Sequence, residues 1–130
     1  MKKLILTAIA AFAFAMPQNH GITNDPGLKL AFAKKYKEAL ANFISRCSNN
    51  EGYACGMAGY FYDKGFGEIK KDHKLAIKFY KKGCSLNDAD SCTLLGYEAY
   101  KNNDIKKAKK LLKKGCKLGN KDACNYLNKI

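Results

Sequence analysis

Apolar residues in this chain recur at helical spacing and nowhere alternate as a strand would. From Leu28 onward, Phe32, Tyr36, Ala39, Leu40, Phe43 and Cys47 mark one stripe, which predicts a first helix. A second runs through Cys55, Ala58, Gly59 and Tyr62 and ends at Asp63-Lys64-Gly65-Phe66-Gly67, where two glycines suit a left-handed cap. Asp72 is placed to N-cap a third helix carrying Leu75, Ala76, Phe79, Tyr80, Gly83 and Cys84. Its partner carries Cys92, Leu95, Gly96, Ala99 and Tyr100. Asn103-Asp104 opens a fifth helix through Ile105, Ala108, Leu111, Leu112, Gly115 and Cys116. Gly119 stops it, and Asp122 to Leu127 makes a short sixth.

The pattern repeats. Ala39, Ala76 and Ala108 step by 37 and 32 residues, as do Cys47, Cys84 and Cys116; Gly59-Tyr60 matches Gly96-Tyr97, and Gly83 matches Gly115. The shorter step is a deletion between hairpins, since Gly59 to Ala76 spans 17 positions and Gly96 to Ala108 only 12. Periods of this size mean a stacked solenoid. Each copy also holds two cysteines at an offset of 8. One continuous helix would set such a pair about 12 Å apart, whereas a disulfide needs Cα atoms within roughly 4.4–6.8 Å. The chain must therefore turn back between them, and Asn49-Asn50-Glu51-Gly52, Asn87-Asp88 and Gly119-Asn120 supply turn residues. Six cysteines allow 15 pairings, but equivalent copies should bond alike, leaving Cys47–Cys55, Cys84–Cys92 and Cys116–Cys124. Closing each short loop stabilises its hairpin by roughly 2.5 kcal/mol. Zinc sites prefer two to four intervening residues, so no metal is expected. The expected fold is all-α: a short right-handed α/α solenoid of about three hairpins, over about 33–66, 70–102 and 103–130, each crosslinked by a disulfide.

The N-terminus adds a compartment. Lys2 and Lys3 precede an apolar run from Leu4 to Phe14, and Ala13-Phe14-Ala15 is an Ala-x-Ala cleavage site. The run is too short to span a bilayer, so residues 1–15 read as a signal peptide and no transmembrane segment is expected after cleavage. Residues 16–27, broken by Pro17, Gly21, Pro26 and Gly27, read as a flexible leader. A secreted or periplasmic chain meets conditions in which disulfides persist.

The net charge of +13 is nearly all lysine, because Arg46 is the single arginine. Base-specific nucleic-acid readout favours bidentate arginine, so no specific nucleic-acid partner is expected. Lys37, Lys74 and Lys106 occupy equivalent places, and Lys78 matches Lys110. In a stack such positions form a row, a candidate basic track for a protein or peptide ligand or an anionic glycan; the same residues also suit the solvated faces of amphipathic helices.

Ala76-x-x-Phe79-Tyr80-x-x-Gly83-Cys84, followed by Cys92-x-x-Leu95-Gly96-Tyr97, resembles the Sel-one-like repeat, a relative of the tetratricopeptide repeat. The loop Asp63-Lys64-Gly65-Phe66-Gly67-Glu68-Ile69-x-x-Asp72 is similar to that repeat's linker, and the cysteine placement resembles the Helicobacter cysteine-rich protein family. The resemblance covers about Ala33 to Ile130 and implies disulfide-crosslinked hairpins, secretion and a binding role. It also implies penicillin binding or slow β-lactamase activity, with a cell-wall fragment or β-lactam as ligand.

The residues themselves do not equip that chemistry. Ser-x-x-Lys is absent at Ser45, Ser48, Ser85 and Ser91, and the two histidines, His20 and His73, read as surface residues. Asp88 and Asp90 could look like a carboxylate pair, but Asp88 is better placed to cap a helix. No catalytic motif is visible, so the catalytic residues of any hydrolase stay unassigned, and no cofactor is expected. The primary expectation is a monomeric helical-repeat binding module; the alternative is a slow β-lactamase or penicillin-binding hydrolase.

Overall fold

The computed structural model describes residues 24–130, so the expected signal peptide and most of the leader lie outside the described residues. Seven helices follow in order: α1 Pro26–Phe32, α2 Tyr36–Ser48, α3 Gly52–Lys64, α4 His73–Ser85, α5 Ala89–Lys101, α6 Ile105–Lys117 and α7 Lys121–Lys129. No strand occurs among the described residues. Three antiparallel hairpins, α2–α3, α4–α5 and α6–α7, are each closed at the elbow by the expected disulfide, with Cα–Cα distances of 4.6, 4.6 and 4.7 Å.

The elbows share one backbone solution. Asn50, Asn87 and Gly119 take left-handed φ values of 67°, 66° and 105°, where Asn and Gly carry little steric penalty. The next amide then returns to a carbonyl of the first helix: Glu51 to Arg46, Asp88 to Gly83 and Asn120 to Gly115, at 2.9 to 3.1 Å. Asp72, Asp88, Asp104 and Asn120 each accept a side-chain cap bond from an amide of the following turn. The Asp88 carboxylate is thereby committed to Ser91, accepting from its amide at 3.1 Å and its hydroxyl at 2.6 Å.

Hairpins stack most intimately through the second helix of one and the first helix of the next, α3 on α4 and α5 on α6. The contact points are small. A Cβ on Gly59 would lie 2.6 Å from the Tyr80 ring, and one on Gly96 would lie 2.8 Å from Cγ of Leu112. Phe43, Tyr80 and Leu112 hold equivalent positions on α2, α4 and α6 and are all deeply buried. Lys114 of α6 adds a polar tie, donating from Nζ to the Cys84 carbonyl at the end of α4, at 2.7 Å.

One expectation is corrected. The stripe from Leu28 to Cys47 is two helices, because the chain breaks at Ala33–Lys35 with Lys34 at φ 62°. The leader's end is also helical. Asp25 caps α1, and Pro26 is its first residue, a position where a missing N–H costs nothing. Arg46 fastens this helix down: its Nη1 and Nη2 meet Asp25 at 3.0 and 2.7 Å while its Nε reaches Glu51 at 3.3 Å. The bidentate pair explains why the chain's single arginine sits here. The hydrogen bond to Asp25 is the main reason the Arg46 pKa is raised.

α1 is half a hairpin in disguise. A Cβ on Gly27 would lie 2.6 Å from the Phe43 ring, just as Gly59 meets Tyr80 and Gly96 meets Leu112. Gly27 precedes Ala39 by 12 residues, the spacing from Gly96 to Ala108. Lys34 and Asn103 are both left-handed seven residues after their glycines, and Lys35 and Asp104 donate back to Leu30 and Ala99, both at 2.9 Å. α1 thus holds the place that the second helix of a hairpin holds elsewhere in the stack.

Candidate functional site

The lysines named from the sequence all stay exposed. Lys37, Lys74 and Lys106 are each the second residue of a first helix (α2, α4, α6), and Lys78 and Lys110 lie one turn further on. None of the five is ion-paired with a carboxylate among the described residues. Helices α4 and α6 together carry eleven lysines and no Asp or Glu. Elsewhere Glu38 lies on α2 beside Lys37 and Glu68 in the connection after α3, while the other carboxylates of the described residues sit at helix caps or on second helices. Lys37 edges a depression of about 430 Å³ shared with Tyr62, Lys70 and Lys71.

Two further pockets sit at the junctions between repeats. The first, about 170 Å³, lies among α1, α2, α3 and the connection after α3, and is lined by Leu28, Ala31, Phe32, Tyr36, Met57, Tyr60, Phe61 and Phe66, with Lys34 at the edge. The second, about 200 Å³, lies among α3, α4 and α5 and includes Asp63, Lys64, His73, Leu94, Tyr97, Glu98 and Lys101. They are the same pocket one repeat apart. Tyr36, Met57, Tyr60 and Phe61 become His73, Leu94, Tyr97 and Glu98 at a step of 37, and Ala31 and Phe32 become Asp63 and Lys64 at a step of 32.

In the second pocket His73 bridges two hairpins. Its Nδ1 lies 3.1 Å from Oδ1 of Asp63 on α3, and its Nε2 lies 3.1 Å from Oε1 of Glu98 on α5. A neutral imidazole has one N–H, so donating to both carboxylates requires the imidazolium. The hydrogen bonds to Asp63 and then Glu98 raise the His73 pKa above its ordinary value despite partial burial. Burial works to raise Glu98, but hydrogen bonds from His73 and Lys101 outweigh it and hold the carboxylate below its usual range. Tyr80 donates its hydroxyl to Oδ2 of Asp63 at 3.2 Å; burial, with Asp63 nearby, drives its pKa upward. His73 is at the surface, as expected from the sequence, but it is an ion-paired bridge there. The signal for the bridge was its repeat register opposite Asp63 and Glu98, which periodicity of apolar residues does not weigh.

Three of the four serine hydroxyls are engaged in helix structure. Ser48 and Ser85 donate to the Ile44 and Lys82 carbonyls, and Ser91 is fully buried against Asp88. No group of three or more His, Cys, Asp or Glu among the described residues is placed to hold a metal ion.

The family model of the Sel1 repeat matches residues 52–88 and 89–120, together just over half of the chain. The chain is a Sel1 repeat protein. Each matched unit runs from the first residue of α3 or α5 through the following first helix, so the family's repeat is the intimately packed pair while the disulfide joins the other pair. Among solved structures, the chain is similar to Helicobacter pylori cysteine rich protein B at 32% identity and a TM-score of 0.70, covering 98% of this chain and 97% of that one. No curated protein matches the chain. No described helix of this Sel1 repeat protein is long and apolar enough to cross a membrane.

Proposed function

We propose that this Sel1 repeat protein is an extracytoplasmic recognition module whose first-helix layer takes an acidic segment of another polypeptide. The carrying observation is the separation of charge: eleven lysines and no carboxylate on α4 and α6. Lys74 and Lys78 on one helix match Lys106 and Lys110 on the next, with Lys37 extending the row onto α2. Such a surface attracts an anionic chain over long range and holds it through many weak contacts. The three disulfides and the apolar N-terminal run support export of the chain. Lactam hydrolysis is supported by resemblance alone, and no arrangement of described side chains adds to it.

The test is fluorescence anisotropy of a labelled oligoglutamate peptide with the oxidised protein. Saturable binding should weaken steeply as salt rises, and Lys74→Glu with Lys106→Glu should weaken it by about tenfold or more. Binding indifferent to both salt and charge reversal would overturn the proposal. A chromogenic lactam run beside a heat-inactivated control decides the hydrolase alternative.

A further inference from the structure

The two equivalent pockets differ above all in their chemistry. Where the second has Lys64, His73 and Glu98, the first has Phe32, Tyr36 and Phe61. An equivalent junction carries ionic residues in the second pocket, so the fold accommodates either chemistry there. The long connection after α3 adds a further ring, Phe66, absent from the shorter connection after α5. Phe66 stacks on Tyr36 with centroids 5.4 Å apart and meets Phe61 at 5.1 Å and Tyr60 at 5.6 Å. Despite this cluster, the pocket stays open, and Phe32 remains 50% exposed. Two cations lie close to it. Lys34 is among its lining residues, and Lys64, which lines the second pocket, has its ammonium 5.9 Å above the ring of Tyr60, a residue of the first.

We propose that the pocket among α1, α2 and α3 anchors a partner polypeptide by one bulky apolar side chain, whose acidic neighbours are met by Lys34 and Lys64. This rests on the acidic-segment reading above and adds to it a fixed point. Lysines alone hold an anionic chain without register, whereas an apolar side chain in a rigid aromatic pocket selects one position along it. α1 therefore does more than pack on α2: it supplies Leu28, Ala31 and Phe32 as one wall of the anchor site.

The experiment uses labelled peptides with one Phe or one Ala between two tetraglutamate arms, and a third with Phe between tetralysine arms, titrated with the full oxidised chain. The acidic Phe probe should bind about tenfold or more tighter than the acidic Ala probe, from burial of the ring. Phe32→Glu, at a half-exposed position, should abolish the difference between the Phe and Ala probes, its added negative charge lowering the binding of both alike. Lys34→Glu, also exposed, should weaken the Phe probe without touching the pocket floor, and a melting curve for each variant confirms folding. Equal binding of the two acidic probes overturns the anchor and leaves the lysine face standing. So does a Phe advantage that survives Phe32→Glu. Tight binding of the lysine-armed probe overturns the acidic flank, and no binding of either acidic probe overturns this proposal together with the lysine-face reading.

Discussion

Gly96→Ala separates local helix preference from tertiary packing, because the two have opposite signs. In a helix interior, Ala is favoured over Gly by about 1 kcal/mol. Against that, the new Cβ would sit 2.8 and 2.9 Å from Cγ and Cδ2 of Leu112 and 3.2 Å from its backbone nitrogen. Leu112 is wholly buried, so its side chain has no solvent to retreat into and α5 and α6 must separate slightly. Overpacking of this kind costs about 1–3 kcal/mol, and two contacts under 3 Å on a wholly buried side chain put it in the upper part of that range, about 2–3 kcal/mol, before propensity returns its share. The expected net loss is about 1–2 kcal/mol, a fall in Tm of about 5–10 °C for a domain of this size. Thermal unfolding of the oxidised protein, followed by circular dichroism, measures it. Leu112→Ala alone should cost about 2–5 kcal/mol; placed in that background, Gly96→Ala should lose its penalty and become stabilising. A rise in Tm from Gly96→Ala in the native background, or simple additivity with Leu112→Ala, would refute the account of how hairpins stack.

Four further outcomes are expected. Cys116 and Cys124 are half-buried while the other four cysteines are buried, so under mild dithiothreitol the third disulfide should be reduced first; alkylation and peptide mapping that found Cys84–Cys92 opening first would contradict this. Replacing Cys84 and Cys92 together by Ala should cost about 2–3 kcal/mol from loop entropy alone, measured by urea unfolding. His73, held by Asp63 and Glu98 and faced also by Lys64, Tyr80, Tyr97 and Lys101, has a raised folded-state pKa. Its contribution is therefore complete below about pH 6.5 and lost as pH rises through the folded value. Wild-type Tm should fall across that window more than that of His73→Gln, and parallel curves would sink the bridge. Burial, with Asp88 nearby, pushes the Asp90 carboxyl up to about 6 even though Asn120 donates to it. That carboxyl stabilises the fold while protonated and destabilises it once ionised above about pH 6. Asp90→Asn should accordingly raise Tm at neutral pH, with the gap closing in acid; a gap that widened in acid would be the wrong sign.

Much of the fold was legible because the repeat compares the chain with itself. The cysteine pairs, the Ala and Gly registers and the caps at Asp72 and Asp104 are local, periodic signals, and each predicts the same hairpin. α1 escaped because its start looks like a breaker: Pro26-Gly27 reads as loop until Asp25 is seen capping the helix and held by Arg46, 21 residues away. The register from Gly27 to Ala39 was present all along, unsupported by a cysteine. The candidate site was legible only as residue types. Five lysines were named, and all are exposed on the first helices, but nothing in their spacing distinguishes a docking row from a solvated face.

What the amino-acid order determined alone is the list of turns, caps and crosslinks, since each depends on residues within a few positions of one another. The pairing of His73 with Asp63 and Glu98, the seating of Gly96 on Leu112, and the contrast between an aromatic and an ionic pocket were decided by stacking. Those contacts join residues from different hairpins, and their geometry exists only once the helices lie side by side.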